Sequence, residues 1–157
     1  MTLKLKNLIN YLQGKWISNQ TIYSLKTKKI YNHQFTTDIK SLSSLTSNNS
    51  KNIAYITKIQ NRDIIYQYIY AHLPNDNQGF INKTENKKTQ QYIFIFNSNK
   101  VLKITNSRNN IKYIEYIYFI DKNFKFSFGV MKINNKYHSI SFTSNIKISI
   151  AKTNSIE

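Results

Sequence analysis

Cysteine is absent from this 157-residue chain. Its absence excludes disulfide bonds, zinc sites built from thiolates and catalysis by a cysteine nucleophile of the chain itself. The three histidines, His33, His72 and His138, lie far apart and lack the spacing of metal ligands on a helix or a hairpin. We therefore expect no metal site.

Proline occurs once, glycine occurs three times, and apolar runs are short. A long flexible linker is therefore not expected, and no run approaches the roughly 20 apolar residues that span a bilayer. The apolar fraction of 40% and the aromatic fraction of 14% exclude global disorder. A chain of this length predicts one domain over residues 1–157.

Acidic residues are scarce, with 7 Asp and Glu against 23 Lys and Arg, so the net charge is +16. Such a charge often indicates a nucleic-acid partner. Here 21 of the 23 basic residues are Lys, accompanied by 22 Asn, 25 Ile and 12 Tyr, which are residues that AT-rich codons encode. The lysines are spread along the chain without a polybasic tract, so we expect no nucleic-acid partner. A basic barrel that binds single-stranded nucleic acid is the alternative, and it would show a steep salt dependence.

The N-terminal segment has a helical pattern. Leu3, Leu8 and Leu12 lie near helical spacing, which predicts a short amphipathic helix over about residues 2–13 that ends at Gly14. Polar residues interrupt any apolar core of a secretory signal, and the segment lacks the Arg and Ser of a transit peptide. We therefore expect the protein to work in the compartment where it is made.

From residue 15 onward, short runs alternate apolar and polar residues. Phe124, Phe126 and Phe128 alternate with Lys125 and Ser127, for example, and turn residues separate this run from its neighbours. A period of two predicts strands, and short turns predict antiparallel pairing. We therefore predict an all-β fold, a single antiparallel barrel of about nine or ten strands over about residues 15–150. The predicted strands are 16–25, 28–39, 53–59, 63–71, 91–96, 101–105, 111–120, 124–133 and 137–150, with turns at 121–123 and 134–136 and surface loops at 41–52 and 74–89.

Four polar side chains stand where the last strands of this meander would bring them together: Glu115, Lys125, Ser127 and Lys147. Inward positions of a barrel line a pocket, so charged residues among apolar neighbours there are candidate ligand contacts.

Two aromatic rows follow the same alternation. The phenylalanines at 124, 126 and 128 must face away from Lys125, so they are expected on the outside, covered by the helix or by a partner. Tyr66, Tyr68 and Tyr70 form either the outward or core-facing row of a strand or a stacking platform for a flat ligand.

Six blocks of the chain resemble motifs of the S-type (CpcS/CpeS-like) phycobiliprotein lyases. The first, GKWISNQT at 14–21, resembles the opening G-[KR]-W-F-S-Q-R-T of that family. The other five follow in the same order and at similar spacing over almost the whole chain. They are 73–79, similar to V-P-x-P-D…G; 92–105, similar to G-R-Y…L-T-L-T; 115–119, similar to E-R-[IL]-W-F; 123–127, similar to N-L-R-L-R; and 141–147, similar to S-F-C-S-E-I-R.

The resemblance implies a lipocalin-like barrel that binds an open-chain tetrapyrrole, a bilin such as phycocyanobilin or phycoerythrobilin, as its substrate. It implies an enzyme that attaches the bilin through a thioether to a cysteine of a phycobiliprotein α or β subunit. A homodimer is a further association left open. The AT-rich composition and the missing transit peptide indicate a plastid-encoded protein of the stroma, with the cyanobacterial cytoplasm as the alternative. A non-catalytic carrier of a bilin or a similar apolar anion is the alternative function.

The resemblance assigns the catalytic role to Glu115, which matches the acidic residue that the family places against the pyrrole nitrogens. It would orient the bilin and supply a proton to the carbon beside the new bond. Its predicted barrel neighbours Tyr113 and Ile117 would remove it partly from water, which raises the pKa of a carboxyl group.

The resemblance also implies bilin contacts at Lys125, Ser127, Trp16, Gln20 and Lys147. Lys125 matches the first Arg of N-L-R-L-R and would pair with a propionate. Gln20, Ser127 and Lys147 each stand where the family has Arg, and lysine does not replace the bidentate contact of arginine.

Overall fold

The computed structural model describes residues 5–42, 52–70, 77–98 and 100–148. These residues form one helix followed by ten strands. They are α1 (Leu5–Leu12), β1 (Gly14–Ser24), β2 (Lys29–Ser41), β3 (Asn52–Ile59), β4 (Arg62–Tyr70), β5 (Gln78–Glu85), β6 (Lys88–Ser98), β7 (Val101–Arg108), β8 (Ile111–Phe119), β9 (Phe124–Ile133) and β10 (Lys136–Ile148).

The ten strands close into one antiparallel barrel. Each strand pairs with its neighbour in the sequence, and β10 returns to pair with β1. The predicted fold class, an all-β barrel of nine or ten strands with a short N-terminal helix, is confirmed. The described helix lies inside the predicted range 2–13, and the described barrel runs from Gly14 to Ile148.

The prediction of a surface loop over 74–89 was wrong. Residues 78–85 form β5, which pairs with β4 on one side and β6 on the other. The β5–β6 hairpin turns at Asn86 and Lys87, which both have left-handed backbone angles, with φ of 50° and 63°. Two such residues make the tight turn that matches the twist of paired strands. The other predicted loop, 41–52, falls largely outside the described residues.

Both predicted turns of the C-terminal meander are present. One Asp121 carboxylate oxygen accepts hydrogen bonds from the backbone N–H groups of Asn123 and Phe124, at 2.6 and 2.8 Å. Asn134 and Asn135 carry φ values of 50° and 60° between β9 and β10, and asparagine tolerates this conformation well. These turns hold β8, β9 and β10 side by side.

Helix α1 closes one end of the barrel. Leu8 and Leu12, one helical turn apart, are buried in the core, which stabilises each by about 2 kcal/mol relative to exposure. The indole N–H of Trp16 donates a 2.7 Å hydrogen bond to the backbone carbonyl of Leu12, and Tyr11 packs edge-on against Phe119. These contacts fix the helix across the barrel end rather than along its side.

Side chains on β9 alternate between the inside and the outside of the barrel, as the sequence predicts. Lys125 and Ser127 face the interior, where both line a cavity, and Phe124, Phe126 and Phe128 face outward. Phe128 is 43% exposed. The sequence predicted that the helix or a partner would cover this phenylalanine row. The helix does not cover it, because α1 packs at the end of the barrel.

Candidate functional site

The barrel interior has two chemically different walls. One wall, which we call the tyrosine wall, consists of Tyr55 on β3 and Tyr66 and Tyr68 on β4. The facing wall, which we call the polar wall, comes from the four strands β8, β9, β10 and β1. Its members are Glu115, Lys125, Ser127, Thr143, Asn145, Ser18 and Gln20.

Two adjoining chambers lie between these walls. The inner chamber, of about 250 Å³, reaches down to Leu12 of the helix. The outer chamber, of about 320 Å³, is lined by Lys83, Tyr92 and Tyr113 among others. Glu115 lines both chambers, so its carboxylate stands where they meet. Joined, the chambers fall within the about 300–1,000 Å³ typical of ligand pockets.

Glu115 is held by hydrogen bonds from two neighbouring side chains. The hydroxyl groups of Ser127 and Tyr113 both donate to its carboxylate. Burial raises the pKa of Glu115, and the two hydrogen bonds and the positive charges of Lys125 and Lys83 oppose that rise. The net upward direction makes this carboxyl easier to protonate than an exposed one.

Lys125 brings a positive charge into the inner chamber. Burial lowers its pKa to about 8, with Glu115 acting to raise it and Lys147 to lower it further. Its Nζ lies 4.4 Å from the ring centroid of Trp16, and Nζ of Lys147 lies 4.7 Å from the same centroid. Cations over an indole ring are stabilised by its negative face. Lys147 also donates a 3.3 Å hydrogen bond to the carbonyl of Tyr11.

Neutral polar groups complete the polar wall. Ser18 donates a 2.7 Å hydrogen bond to the Asn145 side-chain oxygen, and Gln20 donates a 3.3 Å hydrogen bond to the Thr143 hydroxyl. Across the inner chamber, the buried Thr57 hydroxyl has no hydrogen-bond partner among the described residues. Buried hydroxyl groups in folded proteins are usually paired, so the unpaired Thr57 hydroxyl is an exception among the residues that line the inner chamber.

The tyrosine wall is a stacked aromatic surface. The Tyr55 ring stacks on Tyr66 and Tyr68 with centroids 5.2 and 5.7 Å apart. The Tyr55 and Tyr68 hydroxyls lie 3.2 Å apart. Burial raises the pKa of all three well above its ordinary value, so these hydroxyls stay protonated. Tyr66 and Tyr68 face inward and line both chambers, so they do not form an outward row. Their use as a stacking platform for a flat ligand stays a prediction.

The predicted site residues separate into two layers. Glu115, Lys125 and Ser127 line the inner chamber together, as the alternation predicts, whereas Lys147, predicted to converge with them, does not line it. Gln20, which the resemblance implies, also lines the inner chamber. Trp16 and Lys147 stand outside the lining of both chambers. The Trp16 ring contacts the ammonium groups of both Lys125 and Lys147.

Sequence reasoning missed Lys83, which lines the outer chamber and the rim of the barrel near Asn86. It was missed because its strand was interpreted as a loop. The pair Asn86–Lys87 between two short runs was the signal that could have revealed the hairpin.

No group of three or more His, Asp or Glu side chains within the described ranges lies close enough together to bind a metal ion. In the same part of the chain, no helix is long and apolar enough to cross a membrane.

Comparison with known proteins gives one close relative and a shared fold. A relative from Gracilaria tenuistipitata var. liui, named a chromophore lyase CpcS/CpeS homolog, is 33% identical over 148 residues, which cover 91% of this chain and 97% of the relative. The structure of the S-type phycobiliprotein lyase CpeS from Guillardia theta matches with a TM-score of 0.69 at 9% identity, covering 94% of both chains. A protein of unknown function from Nostoc punctiforme matches with a TM-score of 0.62 at 9% identity, covering 94% of this chain and 50% of the other. No family model matches the chain.

Proposed function

Because the chain belongs to the CpcS/CpeS family of chromophore lyases, we propose that it binds a bilin in its barrel and promotes thioether attachment of that bilin to a cysteine of a phycobiliprotein subunit. The observation that carries the proposal is the position of Glu115 and Lys125 opposite the tyrosine wall. A bilin has a conjugated ring system, which packs on aromatic side chains, and two propionates, which pair with cations.

Each polar side chain of the chambers contacts a different part of such a substrate. Lys125 pairs with one propionate in the inner chamber, and Lys83 supplies a cation for the other in the outer chamber. The unpaired Thr57 hydroxyl donates to a ring carbonyl or a propionate oxygen. Glu115, between the chambers, accepts hydrogen bonds from the pyrrole N–H groups.

Four further residues help to hold the bilin in this scheme. Ser127 and Gln20 contact the bilin as neutral groups of the polar wall. Trp16 acts indirectly, because its ring lies against the Lys125 ammonium group, and Lys147 contributes a second positive charge over the same ring.

The chemical step adds the S–H of the acceptor cysteine across an exocyclic carbon–carbon double bond of the bilin. Sulfur bonds to the exocyclic carbon, the adjacent ring carbon gains a proton from Glu115, and the proton lost by the thiol is balanced by one that Glu115 takes back from solvent, so no oxidant or reductant is needed. Glu115 supplies the proton to carbon, and burial favours the protonated form that this role requires. The hydrogen bonds from Tyr113 and Ser127 fix the direction of its carboxyl group.

The finer assignments follow from the same proposal. The substrate is phycocyanobilin or phycoerythrobilin, and the acceptor is a phycobiliprotein α or β subunit. The algal sources of the relative and of the solved lyase support a plastid setting; we place the protein in the stroma as a plastid-encoded chain, with the cyanobacterial cytoplasm as the alternative. A homodimer stays a prediction.

A reconstitution experiment tests the function. The purified protein is mixed with phycocyanobilin or phycoerythrobilin and an apo-subunit, denatured and resolved by electrophoresis. We expect bilin colour to stay with the subunit and to disappear when the acceptor cysteine is replaced by serine. Colour that binds the folded protein but is lost on denaturation would instead support the carrier. A protein that binds no bilin would contradict both functions.

A further inference from the structure

The outside of the barrel carries an apolar surface where the inside is polar. On the strands β8, β9, β10 and β1 most polar residues face inward and most outward residues are apolar. Asn19, Thr21 and Ser144 are neutral polar residues among the outward positions. We call this surface the outer face. Its members are Tyr116, Tyr118, Phe124, Phe126, Phe128, Val130, Ile140, Phe142, Ile146 and Ile17.

The centre of the outer face is a network of rings in mutual contact. Phe126 stacks on Tyr118 at a centroid distance of 4.8 Å and lies 5.7 Å from Phe128. Phe142 on β10 lies 5.9 Å from Phe126 and 5.1 Å from Phe128. These contacts hold the rings in one arrangement, so little side-chain entropy is lost when a partner covers them.

The size of the outer face suits a protein interface. Strands lie about 4.8 Å apart and rise about 3.4 Å per residue, so four strands over seven residues span about 14 by 20 Å. The largest apolar patch on a soluble monomer is commonly about this size and is often functional. Aromatic side chains are also enriched at the centres of such interfaces.

Lysines border the outer face on three sides. Lys112 and Lys132 lie opposite each other on β8 and β9 at the hairpin end, and Lys103 lies opposite Tyr116 on the β7 side. Lys15 lies opposite Ile148 at the helix end. Among the described residues, no charged side chain stands between these borders on the outward positions of β8 to β10 and β1.

We propose that the outer face docks the acceptor protein, through an apolar patch on that protein bordered by carboxylates. An apolar centre with a lysine border is complementary to such a surface. A second copy of this chain would instead bring two lysine borders together, in a chain of net charge +16. Lys112 also precedes Tyr113, which lines the outer chamber, so the hairpin end of the outer face lies beside that chamber.

The identity of the probe rests on the proposed function, so the test measures docking separately from bilin chemistry. The probes are purified apo α and β subunits of a phycobiliprotein, and the readout is their dissociation constant for the bilin-free barrel. The variant is Phe128→Ser with Phe142→Ser, an exposed cross-strand pair (43% and 40% exposed). The matched control is Phe80→Ser with Ile93→Ser, an equally exposed cross-strand pair on β5 and β6 (38% and 48%).

We expect the parent to bind at least one of the two subunits, with an affinity that falls as the salt concentration rises. The affinity of the outer-face variant should be at least tenfold lower than that of the parent, and the affinity of the control should stay within twofold of it. Bilin binding should be unchanged in both variants. Equal subunit affinity for the two variants, or no subunit binding by the parent, would overturn the docking site. A second result would also overturn the docking site. If the parent sediments as a dimer and Phe128→Ser with Phe142→Ser converts it to a monomer, a second copy of the chain covers the outer face. Loss of bilin binding or transfer with docking intact would instead count against the proposed function alone.

Discussion

Gly129 lies directly opposite Glu115 in the ladder between β8 and β9. A Cβ atom at position 129 would lie only 2.9 Å from the Tyr113 hydroxyl oxygen and would collide with the Ser141 hydroxyl. Glycine therefore leaves the space that the Tyr113 hydroxyl occupies when it donates to the Glu115 carboxylate. The arrangement of the site therefore requires a residue without a Cβ atom at position 129.

The variant Gly129→Ala should displace Tyr113 and break its hydrogen bond to Glu115. We expect a loss of about 1–3 kcal/mol in the free energy of unfolding, as for other overpacked cores. Bilin transfer should fall by more than bilin affinity, because the carboxyl group loses its orientation. Urea denaturation and transfer kinetics measure the two effects, with the outward neighbour Val130→Ala as control. Transfer at the parent rate would show that Tyr113 does not position Glu115.

Bilin affinity should depend on pH through Lys125. The proposed propionate contact requires the charged ammonium group, whose pKa is about 8 with Glu115 and Lys147 as its charged neighbours. Affinity should therefore be nearly constant below pH 7 and weaken about tenfold between pH 7 and pH 9, as the group loses its proton. Fluorescence titration of bilin at several pH values measures this.

Two controls separate this effect from general alkaline damage. Lys125→Gln should bind bilin weakly at pH 7 and show a flat profile to pH 9. The bilin dimethyl ester, which has no propionate charge, should show the same flat profile with the parent protein. A steep profile with the ester would assign the pH dependence to another group.

Much of this site could be predicted from the sequence, because a period of two fixes which residues of one strand share a face. Glu115, Lys125 and Ser127 lie within a short meander whose turns are recognisable, so their convergence needed only local information. The inward position of Tyr113 beside Glu115 follows from the same alternation.

The facing wall could not be predicted in the same way. Which strands oppose the meander depends on how the whole barrel closes, and a linear pattern does not report that closure. Tyr66 and Tyr68 therefore stayed ambiguous between an outward or core-facing row of a strand and a stacking platform for a flat ligand. Lys83 was missed for a different reason: β5 has only two apolar residues, Phe80 and Ile81, and they are adjacent, so its sequence resembles a polar loop.

Replacing Lys125 with methionine should stabilise the protein while it weakens bilin binding. The pKa of Lys125 is about 8 in the fold, against about 10.4 in an unfolded chain, so keeping the charge costs at most about 3 kcal/mol at pH 7. Lys125→Met should therefore raise the free energy of unfolding by about 1–3 kcal/mol at that pH.

This gain should shrink as the pH rises. Between pH 8 and about 10.4 the unfolded chain holds more protons on this lysine than the folded protein does, so the parent gains stability across that window. Urea denaturation at pH 7 and pH 10 measures the difference, and the exposed Lys112→Met should change stability by less than about 0.5 kcal/mol. A variant less stable than the parent at pH 7 would show that the ammonium group is structurally required.

The variant Glu115→Gln should reduce bilin transfer far more than bilin binding. Glutamine keeps the size of the side chain and still accepts a hydrogen bond from Tyr113 or Ser127, but it cannot give a proton to carbon. Covalent attachment should fall by about 10²-fold or more, the usual effect of losing an acid or base group, whereas the dissociation constant of the bilin should change by only a few-fold. The control is Glu85→Gln, because Glu85 forms an exposed ion pair with Arg62 at the barrel rim, with Nε and Oε1 2.6 Å apart. Single-turnover transfer and fluorescence titration give the two quantities for each variant. Equal transfer by Glu115→Gln and the parent would remove Glu115 from the chemistry, and the barrel would then act as a carrier that delivers bilin without forming the bond.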